Sequence, residues 1–201
     1  MNDAAHYAAI FAGPRPTIES ARLVLRPFVP DDGPAIERYA GDPDVARTLL
    51  AMPHPYPEGA AVKWIALHEA AWREGRELPL AIVDRASSEF LGAIALRFEA
   101  PHHHAEVGYW LRRDRWRTGV VTEATAALNG WAFRAMGLNR VFARHMHANP
   151  ASGAVMRKTG MKFEGTLRQH YEKNGEMHDF HIYGILRSEF FAAERGEARR
   201  A

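Results

Sequence analysis

The residues in this sequence that are best suited to chemistry form a short basic turn, Arg115-Trp116-Arg117-Thr118-Gly119-Val120-Val121-Thr122. A helix that begins in this turn directs unpaired backbone N–H groups and the positive end of its dipole towards the turn. Gly119 allows the backbone to approach a ligand closely, and Arg115 and Arg117 add positive charge. Together these features suit a diphosphate. A strand-to-helix junction with solvated arginines is the alternative for the same residues.

Two elements must hold this turn in place. Before it, Val107, Tyr109 and Leu111 alternate with Glu106, Gly108 and Trp110, which is the period of a strand. After it, apolar residues recur at steps of three and four and predict one face of a long helix: Val121, Ala124, Leu128, Trp131 and Ala135. Gly137 then stands where a helix ends on a left-handed residue.

Histidines offer a second possible chemistry, a metal site. His102-His103-His104 are consecutive, so their side chains diverge and a polar loop is favoured over a shared ion. His145 and His147 are better placed, two apart on one predicted strand face, but a third ligand of defined spacing is missing. We therefore expect no metal.

Composition restricts the class of protein. The chain has 201 residues, 47% hydrophobic and 25% charged, which is typical of one globular domain. It has no apolar run of membrane-spanning length and no basic-then-apolar leader, so we expect no membrane association. The absence of cysteine excludes disulfides and a thiolate nucleophile, and a cytoplasmic location is expected. A net charge of +2 gives no general field for nucleic acid.

The remaining elements follow from periodicity and turn residues. The order is β-α-α-β-β-β-α-β-α-β-β, an α/β architecture with a mixed sheet. Strands are predicted over 22–28, 80–84, 90–98, 139–146, 161–167 and 178–186, and helices over 33–40, 60–74 and 150–159. Residues 1–16 are expected to be a loosely attached lead-in and 188–201 a polar helical tail.

Three separated segments carry a family resemblance: EVGYWL, GVVTEA at a helix start, and LNRVFARHMHANPASGAVMRKTGMKFEG. In this order they resemble the GNAT superfamily of acyl-CoA N-acyltransferases, in the branch similar to the ribosomal-protein alanine N-acetyltransferases (RimJ/RimL-like). The likeness extends from about Thr17 to Leu186. It implies a single-domain GNAT-type fold over 17–187, with a mixed, mostly antiparallel central sheet flanked by helices. It also implies that the two central strands splay apart, so that the pantetheine arm of acetyl-CoA inserts between them.

The resemblance also assigns cofactor positions. Gly119 matches the family's turn motif, Val121 replaces a small residue, and Arg117 replaces a usual glycine, where it either pairs with a phosphate or faces solvent. Asn149 and Ser152 match an Asn-x-x-Ser motif near the pantetheine, although Asn149 is equally a helix cap. The full predicted set is Trp110, Leu111, Trp116, Arg117, Thr118, Gly119, Val120, Val121, Thr122, Asn149 and Ser152.

Catalytic roles follow from the same resemblance. Many family members protonate the leaving thiolate with a tyrosine where this chain has Met156, so Ser152 is the substitute candidate, with a bound water as the alternative. Glu106 is the candidate base that takes a proton from the acceptor ammonium. A carboxylate in an edge salt bridge is the alternative for Glu106. A backbone N–H near Leu111 would polarise the thioester oxygen. Asp179 is a weaker candidate for gripping the amine.

The implied function is transfer of an acetyl group from acetyl-CoA to a primary amine by direct attack. A protein N-terminal α-amine and a small-molecule amine both remain possible acceptors, and a homodimer is possible. A CoA-binding module with impaired catalysis is consistent with Val121 and Met156. A nucleic-acid binder that uses Arg112, Arg113, Arg115 and Arg117 is less favoured, because no aromatic stacking series accompanies them.

Overall fold

One mixed sheet organises the molecule. The computed structural model describes residues 3–50 and 52–196. Its strands are β1 (Ile18–Glu19), β2 (Leu23–Arg26), β3 (Glu77–Asp84), β4 (Phe90–Glu99), β5 (His104–Leu111), β6 (Arg140–Met146), β7 (Lys162–Lys173) and β8 (Glu176–Leu186). Its helices are α1 (Asp3–Ala12), α2 (Gly33–Ala40), α3 (Pro43–Ala46), α4 (Ala60–Ala66), α5 (His68–Arg73), α6 (Val120–Arg134), α7 (Pro150–Lys158) and α8 (Arg187–Glu194).

The strand order is β1-β2-β3-β4-β5-β6-β8-β7. Neighbouring strands are antiparallel except for β5 and β6, which run parallel. A parallel pair needs a crossover, and α6 provides it. This arrangement confirms the predicted α/β fold with a mixed, mostly antiparallel sheet flanked by helices.

The sheet separates two hydrophobic clusters, because neighbouring residues on a strand face opposite sides. Along β5, Ala105, Val107 and Leu111 join the larger cluster, which includes residues of α1, α6 and α7. Trp110 faces the other side and joins the smaller cluster with residues of α2, α3 and α4. Trp116 packs against both clusters. The strand-to-helix turn is therefore fixed from both sides of the sheet.

The N-terminal segment differs from the loosely attached lead-in expected from the sequence. It contains α1, and this helix buries Tyr7 and Phe11 in the larger cluster. The Phe11 and Trp72 rings pack in a T-shaped arrangement with centroids 5.0 Å apart, and the Trp72 indole donates a hydrogen bond to the Gly13 carbonyl. The prolines, glycine and alanines favour a loose segment, but the burial of Tyr7 and Phe11 fixes it against the core.

Two further differences concern helices. The predicted helix over 60–74 is divided at Leu67, whose N–H bonds to the Trp64 carbonyl three residues back. The predicted tail contains α8, and Phe190 and Phe191 in it pack against the larger cluster. Residues 197–201 of that tail lie outside the described part. Over the part that is described, no helix is both long and apolar enough to cross a membrane.

Candidate active site

The strands β5 and β6 form a fork. Their pairing covers only His104↔Arg140, Ala105↔Val141 and Glu106↔Phe142, whereas the strands continue to Leu111 and Met146. The carboxyl ends of parallel strands lie at the same edge of a sheet, so α6 and α7, which follow these strands, begin at that edge. The fork therefore opens towards two helix N-termini.

The turn before α6 has the backbone geometry of an anion site. Gly119 has φ +81° and Arg117 has φ +63°, both left-handed. Successive N–H groups in a turn with such residues form a concave nest that attracts anions. The left-handed φ at Arg117 gives a physical reason for the glycine that is usual there. Thr118 caps the turn locally by donating to the Arg115 carbonyl at 2.6 Å.

The four arginines of this region have different environments. Arg112 forms salt bridges with Glu89 and Asp114, Arg115 with Glu89, and Arg113 with Asp44. Hydrogen bonds from Arg112 and Arg115 hold the pKa of Glu89 below its usual value. Arg117 is exposed, and among the described residues it has no ion pair.

Sequence reasoning missed a second cation at this turn. Arg22, on the segment before β2, forms a salt bridge with Glu123 at 2.7 Å and lies 3.6 Å from the position of a Cβ at Gly119. Glu123 also accepts hydrogen bonds from the Arg22 backbone and from Ser20. Desolvation opposes ionisation of Glu123, but these hydrogen bonds outweigh it and lower the pKa of its carboxyl. Glu123 thus joins the N-terminal segment to α6.

Several predicted cofactor residues direct their side chains into the protein. Trp110 and Leu111 are buried, and the Trp116 indole donates to the Leu111 carbonyl at 2.9 Å. Val120 is buried, and Val121 packs against the larger cluster. Trp110, Leu111 and Val120 therefore offer mainly their backbone to a ligand, whereas Trp116 and Val121 are half-buried.

The first turn of α7 carries the predicted Asn149 and Ser152. Asn149 is the N-cap, and its side chain accepts from the Ser152 N–H at 3.3 Å. The Ser152 hydroxyl lies 2.9 Å from the Tyr109 hydroxyl, which also donates to the Ser152 carbonyl at 3.2 Å. Tyr109 reaches from β5 to α7 and was not among the predicted site residues. Alternation placed it with Val107 and Leu111 on the core face, but the partner that a buried phenol needs was a usable signal.

The same turn of α7 rests on β6 through His145. This side chain is 7% exposed, and its Nδ1 lies 2.8 Å from the Met146 carbonyl. Its Nε2 is buried without a hydrogen bond and would be 2.6 Å from a Cβ at Gly153. Desolvation lowers the pKa of His145. Tyr109 and His145 thus hold the start of α7 from the two arms of the fork.

His145 and His147, considered above as possible metal ligands, both pack against His181, with ring centroids 5.2 and 5.1 Å from it, but differ in burial. His145 is buried in β6, whereas His147 lies beyond the strand and contacts His181 at 2.8 Å. Over residues 3–50 and 52–196, no three histidine or acidic side chains form a group that could hold a metal ion.

Glu106 lies at the base of the fork on the sheet face opposite Tyr109. Both its oxygens accept from Arg144, at 2.8 and 2.9 Å, and its side chain is 17% exposed. This is the salt bridge that the sequence left as an alternative to a base. Hydrogen bonding to Glu106 raises the pKa of Arg144, and burial opposes this shift.

An open cavity of about 650 Å³ lies beside this pair, at a bulge in β7. Asp179 and His170 line it, and Asp179 accepts from the Gln169 N–H at 2.7 Å. His170 lies 3.4 Å from Arg144, which connects the cavity to Glu106. Met156, by contrast, is 1% exposed within the core and has no proton to donate.

The mixed sheet, with a parallel pair that separates beyond Glu106↔Phe142, agrees with the fold that the GNAT resemblance implies. Residues 22–162 match the model of the acetyltransferase (GNAT) domain, so the chain belongs to that family. It is an N-acetyltransferase.

Three individual proteins show which members of the family this chain resembles. It is 30% identical to the uncharacterized N-acetyltransferase YoaA of Bacillus subtilis, over 86% of this chain and 97% of that protein. It is also 30% identical to the ribosomal-protein-serine acetyltransferase of Escherichia coli, over 49% of this chain and 55% of that protein. The structure of the ribosomal L7/L12 acetyltransferase RimL in complex with coenzyme A has a similar fold. Its TM-score is 0.77 at 22% identity, with 85% of this chain and 98% of that chain covered. RimL-like enzymes are thus among its relatives.

Proposed function

We propose that this chain binds acetyl-CoA in the β5–β6 fork and transfers the acetyl group to a primary amine. The observation that carries the proposal is the end of strand pairing at Glu106↔Phe142 while both strands continue. The backbone groups beyond that point are available to the amides of an extended pantetheine arm. The nest at Arg117 and Gly119 lies at the same edge, where the diphosphate would bind.

The residues present fit that ligand. Arg117 supplies an exposed guanidinium, and the start of α6 supplies backbone N–H donors. Val121 departs from the family pattern, but its side chain packs against the core. A larger residue there is compatible with the ligand because it adds its bulk on the inner side.

Acetyl-CoA supplies an activated acyl group, and the chain has residues placed to assist its transfer. Ser152 donates a hydrogen bond to the leaving sulfur, and a backbone N–H near Leu111 polarises the carbonyl oxygen. Glu106 attracts the acceptor ammonium and receives its proton, directly or through water. Both Glu106 oxygens are already paired with Arg144, so an acceptor ammonium would share this carboxylate with the guanidinium.

The acceptor enters, on this proposal, from the cavity at the β7 bulge. Its lining includes Asp179, which attracts an ammonium, and it connects to Glu106 through His170 and Arg144. The names of the RimL and Escherichia coli relatives favour a protein N-terminal α-amine. The open shape of the cavity also suits a peptide. A small amine is the alternative, and turnover with N-terminal peptides, amino acids and polyamines would distinguish the two.

Calorimetry with CoA tests the binding site. Gly119→Glu places negative charge against the diphosphate and should abolish binding. Gly59→Glu is a matched control, because Gly59 is also the left-handed N-cap of a helix, with φ +71° against +81°, and has open space around it. CoA affinity should survive in the control. Equal affinity in both variants would remove this site, and tight binding without acetyl transfer to any amine would favour the binding-module alternative.

A further inference from the structure

The Tyr109 hydroxyl contacts two atoms of one residue. It lies 2.9 Å from the Ser152 hydroxyl oxygen and 3.2 Å from the Ser152 carbonyl oxygen. Tyr109 and Ser152 come from different arms of the fork, since β5 carries the first and the helix after β6 carries the second. The contact therefore spans the opening in which the proposed ligand lies.

The two oxygens allow two proton arrangements. In one, the phenol donates to the Ser152 carbonyl, and the serine hydroxyl donates to the phenol oxygen. In the other, the phenol donates to the serine hydroxyl oxygen, so the serine proton is free to point into the fork. Only the second arrangement gives Ser152 a proton for a ligand.

We propose that Tyr109 is a positioning residue that directs the Ser152 hydroxyl proton towards the leaving sulfur, and that the pair stabilises this sulfur without giving up a proton. The inference rests on the proposed function, because it needs CoA in the fork. It assigns to Tyr109 a role that supports Ser152 where Met156 has no proton to donate.

The acidities decide between hydrogen bonding and transfer. Desolvation raises the pKa of Tyr109 to about 12, and the hydrogen bond to Ser152 offsets part of this shift. The cysteine thiol, the nearest side-chain analogue of the CoA thiol, has a pKa of about 8.5. Moving a proton from the phenol through Ser152 to a thiolate would therefore be unfavourable by about 3.5 pKa units. A hydrogen bond to the charged sulfur avoids that loss and strengthens as charge develops.

The balance of the step follows. The amine nitrogen forms a bond to the carbonyl carbon, and the carbon–sulfur electron pair moves onto sulfur. The acceptor ammonium gives one proton to Glu106 or water before the attack, and the nitrogen gives a second proton to water as the amide forms. Ser152 keeps its proton bonded to oxygen throughout, and the sulfur takes a proton from water after release.

The pKa of the bound CoA thiol tests this without turnover. It is measured from the ultraviolet absorbance of the thiolate, at saturating protein, across a pH titration. The variants are Tyr109→Phe, Ser152→Ala and their double variant. Tyr183→Phe is the matched control, because its hydroxyl also contacts α7, at Arg157, 3.0 Å away, but does not contact Ser152.

In wild type and Tyr183→Phe, the bound thiol should have a pKa about one unit lower than in Tyr109→Phe, since a hydrogen bond stabilises its charged form. Ser152→Ala and the double variant should match Tyr109→Phe, because the two residues act as one unit. In turnover, Tyr109→Phe should lower kcat about 10-fold with KM for acetyl-CoA unchanged.

One result would overturn both the proposed function and the inference on Tyr109, and another would overturn the inference alone. No CoA binding by wild type in calorimetry would overturn the proposed function and this inference with it. Binding with the same thiol pKa in wild type and Tyr109→Phe would overturn the inference alone. If Tyr109→Phe does not fold, an equal thiol pKa in Ser152→Ala and wild type would still overturn the inference.

Discussion

The close contact between α7 and His145 at Gly153 allows a quantitative prediction for Gly153→Ala. Alanine is favoured over glycine inside a helix by about 1 kcal/mol. However, the new Cβ would lie 2.6 Å from His145 Nε2 and 3.2 Å from its Cε1. The imidazole cannot yield easily, because Nδ1 contacts the Met146 carbonyl and the ring stacks on Tyr183 at 5.6 Å.

Overpacking of a well-packed site costs about 1–3 kcal/mol, so it should outweigh the helical gain. We expect Gly153→Ala to lose up to about 2 kcal/mol, a fall in Tm of up to about 8 °C for a chain of this size. Ser152 is the adjacent residue, so kcat should fall at least about 10-fold as its hydroxyl is displaced.

Gly130→Ala is the matched control, again a glycine within a helix. Its Cβ would meet only the end of the Arg134 side chain closely, at 2.6 Å; that side chain is 53% exposed and can move aside at the expense of its surface ion pair with Glu194, which is worth little. Its Tm should rise by about 2–4 °C. Thermal melts of both variants, and of Gly153→Ala with His145→Ala added, form the assay. A rise in Tm for Gly153→Ala would refute the reasoning. So would an equal fall in Tm when Gly153→Ala is introduced into wild type and into His145→Ala, because the clash is absent in the second background.

Three further predictions follow. Arg117→Gly should raise Tm slightly, because φ +63° is strained for arginine. It should also weaken CoA binding about 10-fold, because a charged hydrogen bond is lost. Unchanged CoA affinity in calorimetry would make Arg117 a solvent-facing residue. Glu106→Gln should lower kcat about 10²-fold at pH 7. Glu164→Gln is the control, because it breaks a similar pair with Arg140 and should leave kcat unchanged. Wild-type turnover in Glu106→Gln would assign Glu106 to structure alone. His68 has its pKa lowered to about 4 by burial and, second, by the charge of Arg15. Folding therefore favours neutral His68, and this group should make the free energy of unfolding about 2 kcal/mol lower at pH 5 than above pH 6.5. An equal dependence of Tm on pH in wild type and in His68→Phe would contradict this.

Local chemistry explains how much of the fold was predictable. The strand before Arg112, the helix over Val120–Arg134 and the N-cap at Asn149 follow from alternation, helical spacing and capping, which act within a few residues. The fork, in contrast, was implied only by the family resemblance, since periodicity does not report where pairing stops.

The contacts that organise the site were not predictable from such patterns. Tyr109 and Ser152 are 43 residues apart, and Glu106 and Arg144 are 38 apart. No local rule links residues at these separations; the partners meet only because β5 and β6 run parallel and then diverge. The contact between Gly153 and His145 was not predictable for the same reason. Glycine is needed there because the His145 ring occupies the space of a side chain, and only the folded structure shows this.

The early end of pairing between β5 and β6 has an evolutionary consequence. If a ligand is held by peptide groups of two strands and by the N–H groups of a helix start, its recognition depends on the path of the chain more than on its side chains. Substitutions such as Val121 then leave recognition intact, provided that the path is kept. Sequences can accordingly drift far apart while the same fold persists, and this chain shares only 22% identity with RimL at a TM-score of 0.77. Selection on the side chains around the opening is then free to change the acceptor.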